Sequence, residues 1–163
     1  MPSRTRISIY IAFVVALAVW TGGGVFHSLS SHPVWAEDPV AYIRAPDPAV
    51  PMMNPWPPTT AVLALLTLIA IGAFVRHRGP GRREVLVVLA SVFIILVATG
   101  VYFVPTLIRL GNHAALSDAQ ITSMSLTWMR LNLVRIVMLL ALFVYAQIGL
   151  MRLAQARVVP ARS

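Results

Sequence analysis

The chain has 163 residues, of which 58% are hydrophobic and only 11% charged, and its formal net charge is +8 at pH 7. This composition excludes a water-soluble globular protein, because a domain of this size cannot bury so much apolar surface, which must therefore face lipid. The sequence has no cysteine, which excludes disulfides, thiol nucleophiles and thiolate metal ligands.

Four segments are long and apolar enough to cross a bilayer as helices. A hydrocarbon core of roughly 30 Å requires about 20 mostly apolar residues at about 1.5 Å per residue. The predicted spans cover residues 7–26, 59–75, 85–104 and 129–153. Long uninterrupted runs favour helices over a membrane barrel, which would show alternating segments of about 10 residues. The sequence therefore predicts an all-α fold, a single membrane domain over 1–163 built as an antiparallel transmembrane four-helix bundle.

The first span has one alternative interpretation. Arg4 and Arg6, an apolar run and then Ala36 before Glu37 resemble a secretory signal with its cleavage site. A membrane span is favoured, because the run reaches about 20 residues, whereas a signal has about 7–15.

The connection 27–58 is rich in proline, which predicts a stiff, extended cover at one end of the bundle. His32 precedes Pro33 and is expected to leave the helix, where it is free to point back over the bundle. The next connection contains Gly79-Pro80-Gly81, which predicts a tight turn and makes spans two and three antiparallel neighbours.

The connection 106–127 contains a helix start signal. Ser117 is a capping residue, and Gln120 follows three positions later, before an apolar stretch. The fourth helix is therefore expected to begin near Ser117, before its membrane span, and to be long.

Arginine placement predicts the orientation, because cytoplasmic connections carry the excess of positive charge. The connections 27–58 and 106–127 hold only two arginines but four acidic residues. Both termini are therefore expected in the cytoplasm and these two connections outside, in a multi-pass protein of the plasma membrane. The arginines lie at helix ends and form no single stripe, so no nucleic-acid partner is predicted; the lipid bilayer is the expected partner.

Polar and small side chains within or beside the spans gather, in this topology, in the outer half of the bundle. Such groups are costly in lipid unless they face the interior, so their convergence is typical of a pocket open to the outer leaflet. The candidate lining residues are Trp20, His27, Asn54, Tyr102, Trp128, Asn132 and Arg135.

Two groups of three residues share the helical spacing i, i+4, i+7: Trp20, Gly24 and His27 in span one, and Trp128, Asn132 and Arg135 in span four. At roughly 100° per residue, each group stays within about 60° of one helix face. Arg135 has three open interpretations: a functional cation, a structural ion pair with Glu37 or Asp118, or a cap on exposed carbonyls. Arg130 falls on the opposite face and is expected to be an interfacial cation.

Three histidines, His27, His32 and His113, lie on the predicted outer side. No HxH or HxxxH pair exists, so no metal site is predicted. His32 or His27 is a candidate general base, since imidazole titrates near neutrality, and ordinary hydrogen bonding is the alternative.

Several short motifs occur in an order similar to that of a known membrane family. They are the segment 24–35 with its His32-Pro33 pair, Met53-Asn54-Pro55, Val104-Pro105, and the segment 128–135 with Trp128, Asn132 and Arg135. The chain resembles the anthrone oxygenase-like family of small four-span membrane proteins. Members with an assigned activity oxidise anthrones to anthraquinones with molecular oxygen, and no metal or organic cofactor is evident.

The resemblance implies a cofactor-independent oxygenase that acts on a hydrophobic phenolic or polycyclic substrate. In this hypothesis His32 removes a proton, Arg135 and Asn132 hold the enolate, and Trp128 stacks on the ring. His27, Trp20, Tyr102 and Asn54 complete the substrate pocket. The alternative is a non-enzymatic subunit that binds a lipid, a quinone, a partner membrane protein or a second copy of itself. An enclosed, partly apolar cavity beside Arg135 would favour ligand binding or catalysis.

Overall fold

The computed structural model describes residues 4–45 and 56–158, with side chains up to residue 155. This part of the chain is helical and contains no strand. The elements are α1 (Arg4–Glu37), α2 (Pro39–Arg44), α3 (Trp56–Phe74), α4 (Arg82–Ala98), a π-helical segment (Thr99–Phe103), α5 (Val104–Gly111), a 3-10 turn (His113–Ala115) and α6 (Asp118–Val158).

Four helical segments of the described chain are long and apolar enough to cross a membrane. They are Arg4–Glu37, Trp56–Phe74, Arg82–Gly111 and Asp118–Gln155. Large apolar side chains remain exposed along all of them, for example Val19, Leu65, Ile94 and Val144. In a bilayer these side chains contact lipid, which makes their exposure favourable. The predicted transmembrane four-helix fold is confirmed.

The four long helices form a ring of antiparallel neighbours. Helices α3 and α6 each pack against both α1 and α4. The half of the bundle near the Gly79-Pro80-Gly81 turn has a continuous apolar core, in which Phe13, Phe74 and Leu89 are fully buried. Packing at this density leaves little free volume, so space for a ligand has to lie in the other half.

The tight turn between α3 and α4 is present as predicted. Gly81 has φ of 79°, a left-handed conformation that favours glycine. A Cβ atom at Gly81 would also lie 3.2 Å from Leu153 Cγ on α6. Beside this turn, Arg152 donates to the buried carboxylate of Glu84 and thereby ties α6 to α4.

The prediction that His32 leaves the first helix is wrong, and so is an extended cover beginning at residue 27. Helix α1 continues through Pro33 to Glu37, although proline removes one intrahelical hydrogen bond. Trp35 supplies the compensating contact, because it is 1% exposed, stacks on Tyr42 at 5.5 Å between ring centroids and contacts Trp128 at 5.4 Å. Residues 46–55 of this connection, including Asn54, lie outside the described residues.

The predicted start of the fourth helix is confirmed. Ser117 N donates to Gln120 Oε1 at 2.9 Å and Gln120 N donates to Ser117 Oγ at 3.3 Å, which is a reciprocal capping box. Helix α6 begins at Asp118 and has 41 residues. At about 1.5 Å per residue, the length of α6 exceeds the thickness of a bilayer. Helix α6 therefore extends beyond its membrane span, and it also packs against α2 and α5.

The orientation of the bundle stays a prediction, which cysteine labelling tests cleanly because the chain has no cysteine of its own. Pro80 and Ala114 are exposed at opposite ends of the bundle. If the termini are cytoplasmic, an impermeant maleimide added to intact cells should label Ala114→Cys and not Pro80→Cys. Permeabilised cells, as the control, should show both labelled. Labelling of Pro80→Cys alone in intact cells would show that the chain has the opposite orientation.

Candidate functional site

A cavity of about 370 Å³ lies in the half of the bundle away from the Gly79-Pro80-Gly81 turn. Its walls come from α1, α3, the π-helical segment, α5 and α6, so each of the four membrane-spanning segments contributes, although α4 itself does not. The lining is mainly apolar and aromatic, with a few polar groups: His27, Thr60, Thr99, Asn132 and Arg135. This size and composition are typical of small-molecule sites, which measure about 300–1,000 Å³.

Five of the eight residues predicted from the sequence line this cavity: Trp20, His27, Trp128, Asn132 and Arg135. The i, i+4, i+7 spacing brings both trios, including Gly24, to one wall each. At Gly24 α1 lies beside α6, since a Cβ there would be in ordinary van der Waals contact with Ile136 Cγ1, at 3.7 Å. His32 does not line the cavity and lies behind Asn132, with its Nε2 3.3 Å from Asn132 Nδ2.

Tyr102 does not line the cavity; the neighbouring Phe103 does. The π-helical segment changes the angle between successive residues, so positions after Thr99 are rotated relative to an α-helix. Phe103, Trp56 and Thr60 are lining residues that the sequence argument did not include. A signal existed for Trp56, which stands at the interfacial start of the second span, but none in the sequence marked the π-helix.

Arg135 lies between two aromatic rings. Its guanidinium carbon is 4.3 Å from the ring centroid of Phe103 and 5.4 Å from that of Trp20. Cation–π contacts of this kind contribute about 0.5–2 kcal/mol each. Together they approach the roughly 2.5–3.5 kcal/mol cost of placing an arginine at the centre of a membrane helix.

Arg135 has more donors than the described residues accept. A guanidinium carries five N–H donors. Arg135 Nη1 donates to Thr99 Oγ1 at 3.2 Å and Nη2 donates to Asn132 Oδ1, while Nε is buried with no partner in the part of the chain that the structure describes. The site therefore has the hydrogen-bonding capacity to hold an additional acceptor group.

No carboxylate within residues 4–45 and 56–155 neutralises Arg135. Asp118 pairs with Arg44 at 2.5 Å, which ties α2 to the start of α6, and Glu37 is exposed at the end of α1. The alternative in which Arg135 forms an ion pair with one of these two acids is therefore wrong. A cation that no described carboxylate compensates, in a largely apolar cavity, favours an anionic ligand or a ligand that becomes anionic during a reaction.

The cavity also has an aromatic wall on the side of α2 and α5. His32 contacts the rings of both Trp128 and His27 at 5.8 Å between centroids, and His27 contacts Trp56 at 6.0 Å. Trp128 Nε1 donates to Phe103 O at 3.1 Å, which fixes the indole against the π-helical segment. The aromatic side chains are thereby held in fixed orientations around the cavity.

The family model described as anthrone oxygenase matches residues 52–145, more than half of the chain. The chain belongs to the anthrone oxygenase family. The matched region contains Trp128, Asn132 and Arg135, whereas His27 and His32 on α1 precede it. No curated protein and no solved structure matches the chain.

Within the described residues of this anthrone oxygenase family member, no three His, Asp or Glu side chains lie close enough together to hold a metal ion. The imidazoles of His27 and His32 adjoin each other, but their neighbours are aromatic rings, serines and an amide.

The hydrogen bond from Trp128 to Phe103 should make a measurable contribution to stability. Trp35 is a matched control, because it is equally buried and its Nε1 has no partner in the described part. Trp128→Phe should lower the free energy of unfolding by about 0.5–1.5 kcal/mol more than Trp35→Phe does. Unfolding in mixed detergent and SDS micelles measures both. An equal or larger loss in Trp35→Phe would contradict this assignment.

Proposed function

We propose that this membrane protein is an oxygenase that oxidises a hydrophobic phenolic or polycyclic substrate with molecular oxygen and needs no cofactor. One observation carries the proposal: Arg135, with unused donors and no carboxylate partner in the described chain, adjoins a largely apolar cavity walled by aromatic rings. Membership of the anthrone oxygenase family supports the same chemistry.

The polar groups suit a substrate that is neutral when it binds and anionic when it reacts. An anthrone has a carbonyl group and, opposite it, an acidic methylene carbon. Removal of a methylene proton leaves a negative charge on the carbonyl oxygen, which donors of Arg135 are placed to stabilise. Donors fixed in a site that excludes water stabilise such an oxyanion more strongly than water does. An imidazole of the His27 and His32 pair is the proton acceptor.

The enolate can then reduce oxygen directly. The carbanion carbon transfers an electron to O₂, a carbon–oxygen bond forms, and the resulting peroxide loses water to leave a ketone. One oxygen atom ends in the anthraquinone and the other in water, and the substrate supplies all the electrons. The indoles of Trp20 and Trp128, which both line the cavity, present flat faces that suit a planar polycycle.

The substrate reaches the cavity from the lipid in this proposal. Ala61 on α3 and Val104 on α5 both line the cavity and are exposed on the apolar exterior of the bundle, Val104 by 39%. Helix α3 packs along α4 but makes no extensive contact with α5 or the π-helical segment in the described chain. We define the gap between Ala61 and Val104 as the lateral opening. By arginine placement it faces the outer leaflet of the plasma membrane.

The cavity also bears on the non-enzymatic alternative. A subunit whose polar residues only hold the bundle together would have a filled interior with paired polar groups, whereas this interior is open beside Arg135. The activity test below also covers the second alternative, in which the protein binds a quinone or lipid without turnover.

The role of Arg135 is tested with a model anthrone in liposomes, with anthraquinone absorbance and oxygen consumption as the measurements. Loss of an oxyanion-stabilising group should reduce kcat of Arg135→Gln by about 10²–10³-fold. Arg130→Gln is the matched control, because Arg130 is on the same helix but exposed and outside the cavity. Unchanged turnover in Arg135→Gln would sink the mechanism. Stable binding of anthrone with no turnover in the unaltered protein would favour the non-enzymatic alternative.

The lateral opening is tested by narrowing it. Ala61→Trp should raise the apparent KM for an anthrone dissolved in the membrane by about tenfold, equivalent to ~1.4 kcal/mol, with a smaller effect on kcat. Val62→Trp places the same indole on the adjacent residue, which is 53% exposed but does not line the cavity, and should behave like the unaltered protein. Equal KM values for the two variants would show that substrate uses another route.

A further inference from the structure

The side-chain amide of Asn132 is held in one orientation by Arg135, whose guanidinium can only donate hydrogen bonds. Arg135 Nη2 donates to Asn132 Oδ1, so the amide nitrogen Nδ2 points the other way. Nδ2 donates to Ser28 Oγ at 3.1 Å and lies 3.3 Å from His32 Nε2. An amide nitrogen cannot accept a hydrogen bond. His32 Nε2 is therefore the acceptor and carries its lone pair, and the ring proton of His32 is on Nδ1.

The hydrogen bonds around His27 place its ring proton on Nδ1 as well, but they leave Nε2 unoccupied. Ser30 Oγ lies 2.9 Å from Phe26 O, which can only accept, so the hydroxyl hydrogen of Ser30 is used there. In the 3.4 Å contact between the two serines, Ser31 is then the donor. With its hydrogen assigned to this contact, Ser31 Oγ is left to accept, and His27 Nδ1, also at 3.4 Å, is then the donor. The lone pair of His27 is thus on Nε2, which has no hydrogen-bond partner in the described part of the chain.

The two imidazoles also differ in position. His27 lines the cavity and His32 does not. The groups around His32 are the ring of His27 on its own helix, the indoles of Trp35 and Trp128, and Asn132 with Arg135 behind it. A proton on His32 Nε2 would face the N–H of Asn132 Nδ2, and no described carboxylate adjoins the ring to offset the added charge.

We infer that the two histidines have separate roles: His27 Nε2 accepts the substrate proton, and His32 is a positioning residue that holds Asn132 and, through it, Arg135. This division rests on the proposed function for its chemical step. The methylene proton moves to His27 Nε2 as the enolate forms, and returns to the terminal oxygen after O₂ adds to the carbon. The hydroperoxide then loses water together with the second methylene hydrogen, so His27 ends the cycle neutral.

The first test reads the ring nitrogens directly and needs no turnover. The chain has four histidines, so ¹⁵N-histidine NMR of the full chain in nanodiscs is tractable, with each signal assigned from a His→Gln variant. His32 should show an unprotonated Nε2 and a protonated Nδ1, and acidification should protonate His27 before His32. A protonated Nε2 on His32, or protonation of His32 first, would overturn the inference. Asn132→Leu should release the restriction and give His32 a mixture of both tautomers.

The second test separates proton transfer from positioning. Gln can accept from Asn132 Nδ2 through Oε1 but cannot take up a proton. His32→Gln should therefore retain most of kcat with an unchanged pH profile, and His32→Ala should lose more. His27→Gln should lose about 10²–10⁴-fold in kcat, the usual contribution of a general base, together with the acidic limb of the pH profile. Equal losses in His27→Gln and His32→Gln would overturn the inference.

The two failures are distinguishable. Absence of turnover on every anthrone in the unaltered protein would remove the proposed oxygenase function, and the NMR tautomers would still decide how the two rings are held. Turnover that survives in His27→Gln but not in His32→Gln would keep the oxygenase function and reverse the assignment of the proton acceptor.

Discussion

A guanidinium inside a membrane helix bundle must be stabilised without water, and around Arg135 no described carboxylate does this. The rings of Trp20 and Phe103 stabilise part of this charge through cation–π contacts. Thr99 and Asn132 accept hydrogen bonds from the guanidinium. The neighbouring features follow from this arrangement. The rings of Trp20 and Phe103 become cavity walls, and the amide of Asn132 is turned by its donor toward α1. Arg135 retains donors that no described residue accepts, and its side chain lines a cavity in which an oxyanion would be a natural partner.

The two halves of the bundle differ in packing and in helix regularity. The half near the Gly79-Pro80-Gly81 turn is densely packed, and its buried Glu84 is matched by Arg152. The other half contains the π-helical segment, a proline inside α1 and glycines facing neighbouring helices. Departures from regular α-helix are common at functional sites, because they redirect side chains at a cost that the rest of the fold must cover.

A lateral opening toward lipid suits the mainly apolar lining of the cavity, which can bind planar apolar molecules. A cavity walled by indole, phenyl and alanine side chains gives little discrimination among planar apolar molecules, since each apolar contact contributes a small, non-directional energy. Selectivity then has to come from the one group with a directional charge, Arg135, and from the imidazole that faces the same space. A molecule that both dissolves in lipid and can lose a proton satisfies both conditions.

The sequence by itself determined the features that depend on local composition. The length of the apolar runs predicted four membrane helices. The Gly79-Pro80-Gly81 segment predicted the turn between the second and third spans, and Ser117 predicted the start of the fourth helix. The i, i+4, i+7 spacing placed Trp128, Asn132 and Arg135 on one wall of the cavity. Only the tertiary structure decided three others. Packing of Trp35 kept α1 helical past Pro33, and the π-helical segment exchanged Tyr102 for Phe103 at the cavity. Hydrogen-bond partners occupied Nε2 of His32 and left Nε2 of His27 without one in the described chain. Each depends on contacts between residues distant in sequence, or on competition among hydrogen-bond partners, and no local pattern encodes them.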